Sequence, residues 1–245
     1  PEDLVEERTT SRLITKRRTG ELVQMINVVG VTEPCLTEVA GRMGFDVVWL
    51  DLGHRTFGAG VVAPMALACR ASGMDLLVRV DKTGYCSSMQ VLECGANAIM
   101  VPHGRSAAEA AQWVEWCRFP PMGKRGLDGA GADADFGLAP ILEHIEHANR
   151  ETLLALQIED REAVDCVDEI AAVAGVDLLF IGPGDLSMSY GVPMQLDHPL
   201  LQSAMHRVAK AAARAGKGWG IASGSPKHAQ EAVDQGAQLI NCGSD

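Results

Sequence analysis

A single (β/α)8 barrel spanning residues 1–245, led by a polar N-terminal segment over residues 1–20, is the fold this sequence predicts. Three observations carry that expectation. Eight short apolar runs of strand character alternate with segments of helical period along the whole chain. Polar residues gather at the far ends of those runs: Asp51 and His54 after the second, Arg79 in the third, Gln157 and Glu159 in the fifth, Asp185 after the sixth. In a parallel barrel those ends share one mouth, where ligands bind. Finally, 245 residues with 47% hydrophobic content can bury one large core. An open doubly wound sheet is the alternative that the same alternation allows.

The elements follow in order. Arg12–Gly20 reads as a helix closed by Gly20, ahead of a strand at Leu22–Val29. Glu33–Met43 has helical period and stops at Gly44 before the strand Asp46–Leu52; Ala59–Ala71 stops at Gly73 before Asp75–Val80. A helix near Cys86–Cys94 leads to the strand Asn97–Val101. Ser106 with Glu109 forms a capping-box signal for the helix through Cys117, and a Pro/Gly-rich loop then runs to Ala134. A helix at Leu138–Asn149 feeds the strand Leu153–Glu159, and a helix-like segment leads to Val176–Ile181. The helix His198–Ala215 precedes the strand Gly218–Ala222, and the helix Pro226–Gln235 precedes Gln238–Cys242.

Composition narrows the function classes. A net charge of −11 without a Lys/Arg stripe argues against nucleic acid. No run of eighteen apolar residues exists and the first eighteen residues lack an apolar h-region, so neither a membrane span nor a signal peptide is expected. The seven cysteines are odd in number and never form C-x-x-C, which reads as reduced residues of a cytoplasmic protein.

The stretch from Gln157 to Ser187 is the most informative. Glu159 and Asp185 leave the carboxyl ends of neighbouring strands in a strand–helix–strand unit, and two hard oxygen donors suit Mg²⁺ or Mn²⁺, with positions left for water and substrate. Gly182-Pro183-Gly184 lets backbone N–H groups approach an anion. The plainer reading is a structural turn with Asp185 as a helix N-cap. Asp51 with His54 is either a hydrogen-bonded pair at a strand end or a carboxylate orienting a general base. Arg79, set in an apolar run, fits either an anionic substrate oxygen or an internal ion pair.

Taken together, Gly44-Phe45-Asp46, Asp51-x-x-His54, Val78-Arg79, Pro120-Pro121-x-Gly123-x-Arg125-Gly126, Gln157-x-Glu159 and Gly182-Pro183-x-Asp185-Leu186-Ser187 resemble the HpcH/HpaI family of class II pyruvate aldolases over nearly the whole chain. The resemblance implies a TIM barrel and a carbon–carbon lyase that cleaves a 4-hydroxy-2-keto acid to pyruvate and an aldehyde. It also implies a divalent ion (Mg²⁺, Mn²⁺ or Co²⁺) on Glu159 and Asp185, and a homo-oligomer, trimer or hexamer. Arg79 would stabilise the enolate oxygen, and His54, oriented by Asp51, would be the acid/base. Gln157 would contact substrate, the N–H groups of Gly184 and Asp185 would hold the pyruvate carboxylate, and Arg125 would lie near a subunit contact or the aldehyde's far end. Two departures stand out: Gly53 occupies the place of an acidic residue before the histidine, and the sequence reaches Asp245 without the further helix the resemblance implies. Other enolate chemistry, such as a decarboxylase or citrate-lyase-like step, and a catalytically silent 2-keto-acid-binding barrel are the alternatives. A Schiff-base mechanism would need an amine near the mouth, and only Lys82 is placed for it.

Three apparent motifs are set aside. Asp135-Phe136-Gly137 lacks the rest of a kinase, Asp128, Asp133 and Asp135 lack EF-hand spacing, and His144 with His147 lacks a third ligand.

Overall fold

The computed structural model describes residues 10–245; residues 1–9 of the expected polar segment lie outside the described residues. Eight parallel strands close on themselves: β1 (Val23–Val28), β2 (Val47–Asp51), β3 (Asp75–Arg79), β4 (Ala98–Val101), β5 (Leu153–Ile158), β6 (Leu178–Ile181), β7 (Gly218–Ala222) and β8 (Leu239–Ser244). β8 pairs with β1, with Val23 opposite Leu239, so the doubly wound alternative is excluded. The helices are α1 (Arg12–Thr19), α2 (Pro34–Arg42), α3 (Val62–Ala71), α4 (Tyr85–Glu93), α5 (Ala107–Cys117), α6 (Ile141–Glu151), α7 (Arg161–Asp165), α8 (Val167–Ala172), α9 (Pro183–Ser189), α10 (Pro199–Arg214) and α11 (Pro226–Asp234).

Most expected elements are found within a residue or two, with local chemistry that explains the differences. α6 starts at Ile141 because Pro140 serves as its N-cap. The loop before it holds a 3₁₀ segment, Ala132–Gly137. The helix-like connection between β5 and β6 is two short helices, α7 and α8. At α5 the Ser106 hydroxyl accepts from Glu109 N–H, and Glu109 reaches back to Arg105 N–H at 3.1 Å, one residue before the position a capping box usually serves.

Strand alternation sorts the interior into two cores. Val23, Met25, Val47, Trp49, Leu77, Ala98, Met100, Leu153, Ala155, Leu178, Phe180 and Leu239 fill the lumen. Their neighbours of opposite parity, such as Val48, Leu76, Ile99, Leu154 and Leu179, pack outward against the helices. The same parity carries forward to the strands' carboxyl ends, so Asn27, Asp51, Arg79, Gln157 and Asn241 continue the lumen column upward in polar form.

The bottom of the lumen is stoppered. The N-terminal segment reads as polar, yet α1 presents Leu13 and Ile14, each 1% exposed, to the lumen core. Ser11 caps the helix through its hydroxyl, which accepts from Ile14 N–H, and Gly20 ends it at φ 77°. Two strand-start carboxylates hold the stopper. Asp46 pairs with Arg12 and Lys16 at 2.8 Å each, and Asp75 accepts from Leu13 N–H at 2.6 Å and the Ser11 hydroxyl at 2.8 Å.

Burial pushes the Asp75 carboxyl up to about 6, against the pull of those hydrogen bonds. A carboxyl whose folded value lies above its ordinary 3.8 binds its proton in the folded state first, so stability falls as pH rises from about 4 to about 6 and is level above that. Denaturant titrations across that window should show this slope in the wild type and a flatter profile in Asp75→Asn. An equal slope in both would remove Asp75 as its source.

Candidate active site

The polar layer at the mouth is built around a charge pair. Arg79 Nε and Nη2 donate to Asp51 Oδ1 at 2.9 Å and Oδ2 at 2.6 Å, and both side chains are buried. Burial alone would raise the Asp51 carboxyl, but the hydrogen bond and charge of Arg79 hold it below the usual range. Arg79 Nη1 reaches Gln157 Oε1 at 3.4 Å, and the guanidinium stands 5.7 Å from the Trp49 ring centroid. The guanidinium is thereby fixed from three strands, β2, β3 and β5.

Asp51 Oδ1 also accepts the backbone N–H groups of Gly53 and His54, at 2.9 and 3.2 Å. This corrects the expectation that Asp51 orients the His54 imidazole. Its oxygens are taken by Arg79 and by the turn's backbone, while the His54 side chain is exposed above the mouth. What Asp51 sets is the course of the turn that carries His54.

Glu159, just beyond β5, is 1% exposed, and its Oε1 accepts His103 N–H at 2.9 Å. Its Oε2 is buried with no hydrogen-bond partner among the described residues. Burial raises the Glu159 carboxyl; His103 and Arg79 oppose this, and the charge of Asp185 adds to it. Gly182 is required here: a Cβ would sit 2.5 Å from Glu159 Oε2 and 2.8 Å from Gln157 Nε2. Beyond it Pro183 opens α9, with Gly182 as N-cap. Asp185 is therefore the third helical residue and not the N-cap that the plainer reading made it. The first backbone N–H to bond back into the helix is that of Leu186, to Gly182 O, so the N–H groups of Gly184 and Asp185 precede the helical ladder.

Three residues of this mouth escaped the sequence reading. His103, at φ 49°, follows β4 and places Nδ1 2.9 Å from Asp160 Oδ2. Arg105 grips the same carboxylate in a fork, Nε to Oδ2 at 2.9 Å and Nη2 to Oδ1 at 3.1 Å. Burial would raise the Asp160 carboxyl, but Arg105 and His103 hold it low. His103, Arg105, Glu159, Asp160, Asp185 and Met188 line one cavity of about 660 Å³. The signal was Pro102-His103-Gly104-Arg105 after a strand, a placement equivalent to that of Asp51–His54. Gly104 fits there because a Cβ would lie 2.7 Å from Leu156 Cδ1.

Of the two places expected for Arg125, the aldehyde's far end is corrected, because the residue lies away from the mouth. Its loop folds back along α5, with Lys124 N–H on Glu115 O and Arg125 N–H on Arg118 O, toward the strand starts. There Arg125 is 4% exposed, pairs with Asp133, lies 4.6 Å from the Phe119 ring centroid, and lines a different cavity with Ser11, Asp75 and Asn97. Lys82 does stand near the mouth, but its ammonium is tied to His103 O at 2.9 Å and to Glu109.

Comparisons with known proteins give the family of a chain with this barrel. The model of the HpcH/HpaI aldolase/citrate lyase family matches residues 25–245. The chain belongs to that family. Its members among curated relatives include the 4-hydroxy-4-methyl-2-oxoglutarate aldolase cghB of Chaetomium globosum, 31% identical over 214 residues (86% of this chain, 80% of the relative). The 5-keto-4-deoxy-D-glucarate aldolase of Klebsiella pneumoniae is 32% identical over 215 residues, 88% of this chain and 83% of the relative. Among solved structures, the HpcH/HpaI aldolase from Desulfitobacterium hafniense superposes with a TM-score of 0.90 at 28% identity, covering 94% of this chain and 89% of the other. As a member of this HpcH/HpaI family the protein is a lyase that acts on carbon–carbon bonds.

Because the Asp51–Arg79 pair is buried, removing one charge leaves the other uncompensated. Asp51→Asn should destabilise the barrel by roughly 3–5 kcal/mol in urea unfolding. A change under about 1 kcal/mol would show that the pair is solvated and not a fixed part of the site.

Proposed function

We propose that this HpcH/HpaI protein is a metal-dependent aldolase that cleaves a 4-hydroxy-2-keto acid to pyruvate and an aldehyde and also runs the reverse addition. The observation that carries the proposal is Glu159 Oε2: a buried carboxylate oxygen without a partner among the described residues, kept clear by Gly182 and sharing its cavity with Asp185. Two carboxylates are the right donors for Mg²⁺, Mn²⁺ or Co²⁺. Among the described residues no set of three or more His, Cys, Asp and Glu side chains forms a complete metal site, so water and substrate would supply the remaining positions. When bound, the divalent ion supplies Lewis acidity to the α-keto acid.

The protein's own residues supply the rest. In the cleavage direction a base takes the proton of the C4 hydroxyl, the C3–C4 bond breaks, the aldehyde departs, and the electron pair is held as the pyruvate enolate. Arg79, already rigid, places its positive charge beside the enolate oxygen. Gln157 orients the keto acid through the same hydrogen-bond chain, and the N–H groups of Gly184 and Asp185 face its carboxylate. His54 stands free above the mouth to exchange the proton. A proton returned to C3 completes pyruvate. A citrate-lyase-like or decarboxylating step on the same enolate platform is the second reading, favoured by Gly53, whose missing carboxylate changes the proton-transfer network.

The proposal extends to a cytoplasmic homo-oligomer. All seven cysteines are free thiols, in keeping with a reducing compartment. Phe136, Leu138 and Leu142 lie close in sequence and are 68%, 78% and 75% exposed, a surface suited to another subunit. Light scattering at micromolar concentration should give a trimer or hexamer; a monomer would contradict this.

The mechanism is checked by turnover with pyruvate and a panel of aldehydes. EDTA should abolish it, and Mg²⁺, Mn²⁺ or Co²⁺ should restore it. Glu159→Ala and Asp185→Ala should lose both activity and metal binding measured by calorimetry, with the fold intact by circular dichroism. His54→Ala should lower kcat by about 10²–10⁴-fold with a much smaller change in pyruvate affinity. Borohydride with pyruvate should leave Lys82 unmodified; activity that survives chelation together with a reduced adduct on Lys82 would reverse the mechanism.

A further inference from the structure

Opposite the Glu159–Asp185 wall, the lumen is closed by β8, β1 and β2, and that wall carries polar groups the mechanism does not use. Asn27 Oδ1, Asn241 Oδ1 and Trp49 Nε1 are buried with no hydrogen-bond partner among the described residues. Trp49 is 5% exposed and Asn241 8%. All three share the lumen parity, following Met25, Val47 and Leu239 by two residues on their strands. The register brings them together: Asn27 is opposite Trp49 across β1–β2, and Asn241 is opposite Met25, one lumen position below Asn27, across β8–β1. Trp49 also stands against Arg79, so this wall is continuous with the keto-acid position.

A buried amide oxygen or indole N–H left unpaired costs stability, and two such oxygens and one N–H on adjacent strands make a concentrated cost. Such a cost is what a site built for a polar ligand carries in its protein groups. The two amide oxygens need a donor and the indole N–H an acceptor, and a hydroxyl supplies one of each, donating to one asparagine Oδ1 while accepting an N–H. A carboxylate only accepts. It would also face a fixed negative charge at the top of β1, where Asp245 bonds through its own N–H to Asn27 O. The Asp245 carboxylate there accepts the N–H groups of Val29 and Val31 at 2.6 Å each, and these bonds hold it ionised against the pull of burial.

We infer that Asn27, Trp49 and Asn241 form the acceptor subsite of the proposed aldolase and select an uncharged aldehyde bearing a hydroxyl near its carbonyl. The inference rests on the aldolase reading and names its acceptor class. Asn27 and Asn241 read the hydroxyl, and Trp49 supplies both an N–H and the flat surface that joins this subsite to Arg79.

The test uses the full chain with Mg²⁺ or Mn²⁺ and pyruvate as donor. Proton exchange at pyruvate C3 in deuterium oxide, without any aldehyde, tests the aldolase reading by itself; its absence would overturn that reading and this inference with it. With exchange present, kcat/KM is compared for glycolaldehyde, propanal and succinic semialdehyde. The wild type should favour glycolaldehyde over both others, and the glycolaldehyde-to-propanal ratio should fall about tenfold in Asn27→Leu and in Asn241→Leu, the scale of one lost neutral hydrogen bond. Apolar replacement of an unpaired amide should also leave the melting temperature equal or raised in the absence of acceptor. If a leucine variant does not fold, Asn27→Ala and Asn241→Ala report the same ratio. A wild-type preference for succinic semialdehyde, a ratio unchanged in the variants, or a lowered melting temperature with an unchanged ratio would each overturn the subsite.

Discussion

A guanidinium inside a barrel lumen has to be neutralised there, and much of the mouth follows from how this chain neutralises Arg79. Asp51 takes two of its N–H groups, which fixes the plane of the guanidinium and leaves one edge toward Gln157. The same carboxylate gathers the N–H groups of Gly53 and His54, so the turn carrying the histidine is set by the pair below it. Trp49 fills the side the pair leaves open and meets Phe180 edge-on, 5.6 Å between ring centroids. One buried charge thus organises four strands, and the geometry of the mouth and the packing of the barrel become the same constraint.

Across the mouth a second device does the opposite. Glu159 keeps one oxygen bonded and the other, though buried, without a partner among the described residues, and the absence of a side chain at Gly182 keeps the space beside it clear. Burial and the nearby Asp185 both disfavour the ionised form, so the carboxylate is held at a cost that a cation would relieve. The two halves of the site are therefore complementary: a positive group paired on one side, a negative group with one oxygen unpaired among the described residues on the other.

The sequence was most legible where chemistry is periodic. Lumen parity could be followed from Val47 to Asp51, from Leu77 to Arg79 and from Leu153 to Glu159, and glycine closures marked helix ends such as Gly20. It was least legible where direction depends on tertiary packing. Arg125 has no local signal that its loop turns back toward the strand starts, where Asp133 and Phe119 receive it. His54 and Asp51 look like a dyad by spacing, but the carboxylate went to a residue 28 positions away, Arg79. His103 and Asp160 went unread because 57 positions separate them and only the pairing of β4 with β5 brings them together. The odd polar residues of β1 and β8, Asn27 and Asn241, gave no signal at all until the barrel closed.

The β8–β1 seam joins residues 216 positions apart, such as Val23 and Leu239, and its register slips between Met25 and Asn27. Bringing such distant segments together carries a loop-closure entropy that the other neighbouring strands do not meet. The wall bearing Asn27 and Asn241 is itself this seam, so a chain emerging from the ribosome holds Arg79, Glu159 and Asp185 well before it can hold that wall. Maturation of the pocket is therefore coupled to the last strand docking on the first: a ring still open could present its charged groups to solvent but would lack the wall in which the acceptor subsite is proposed.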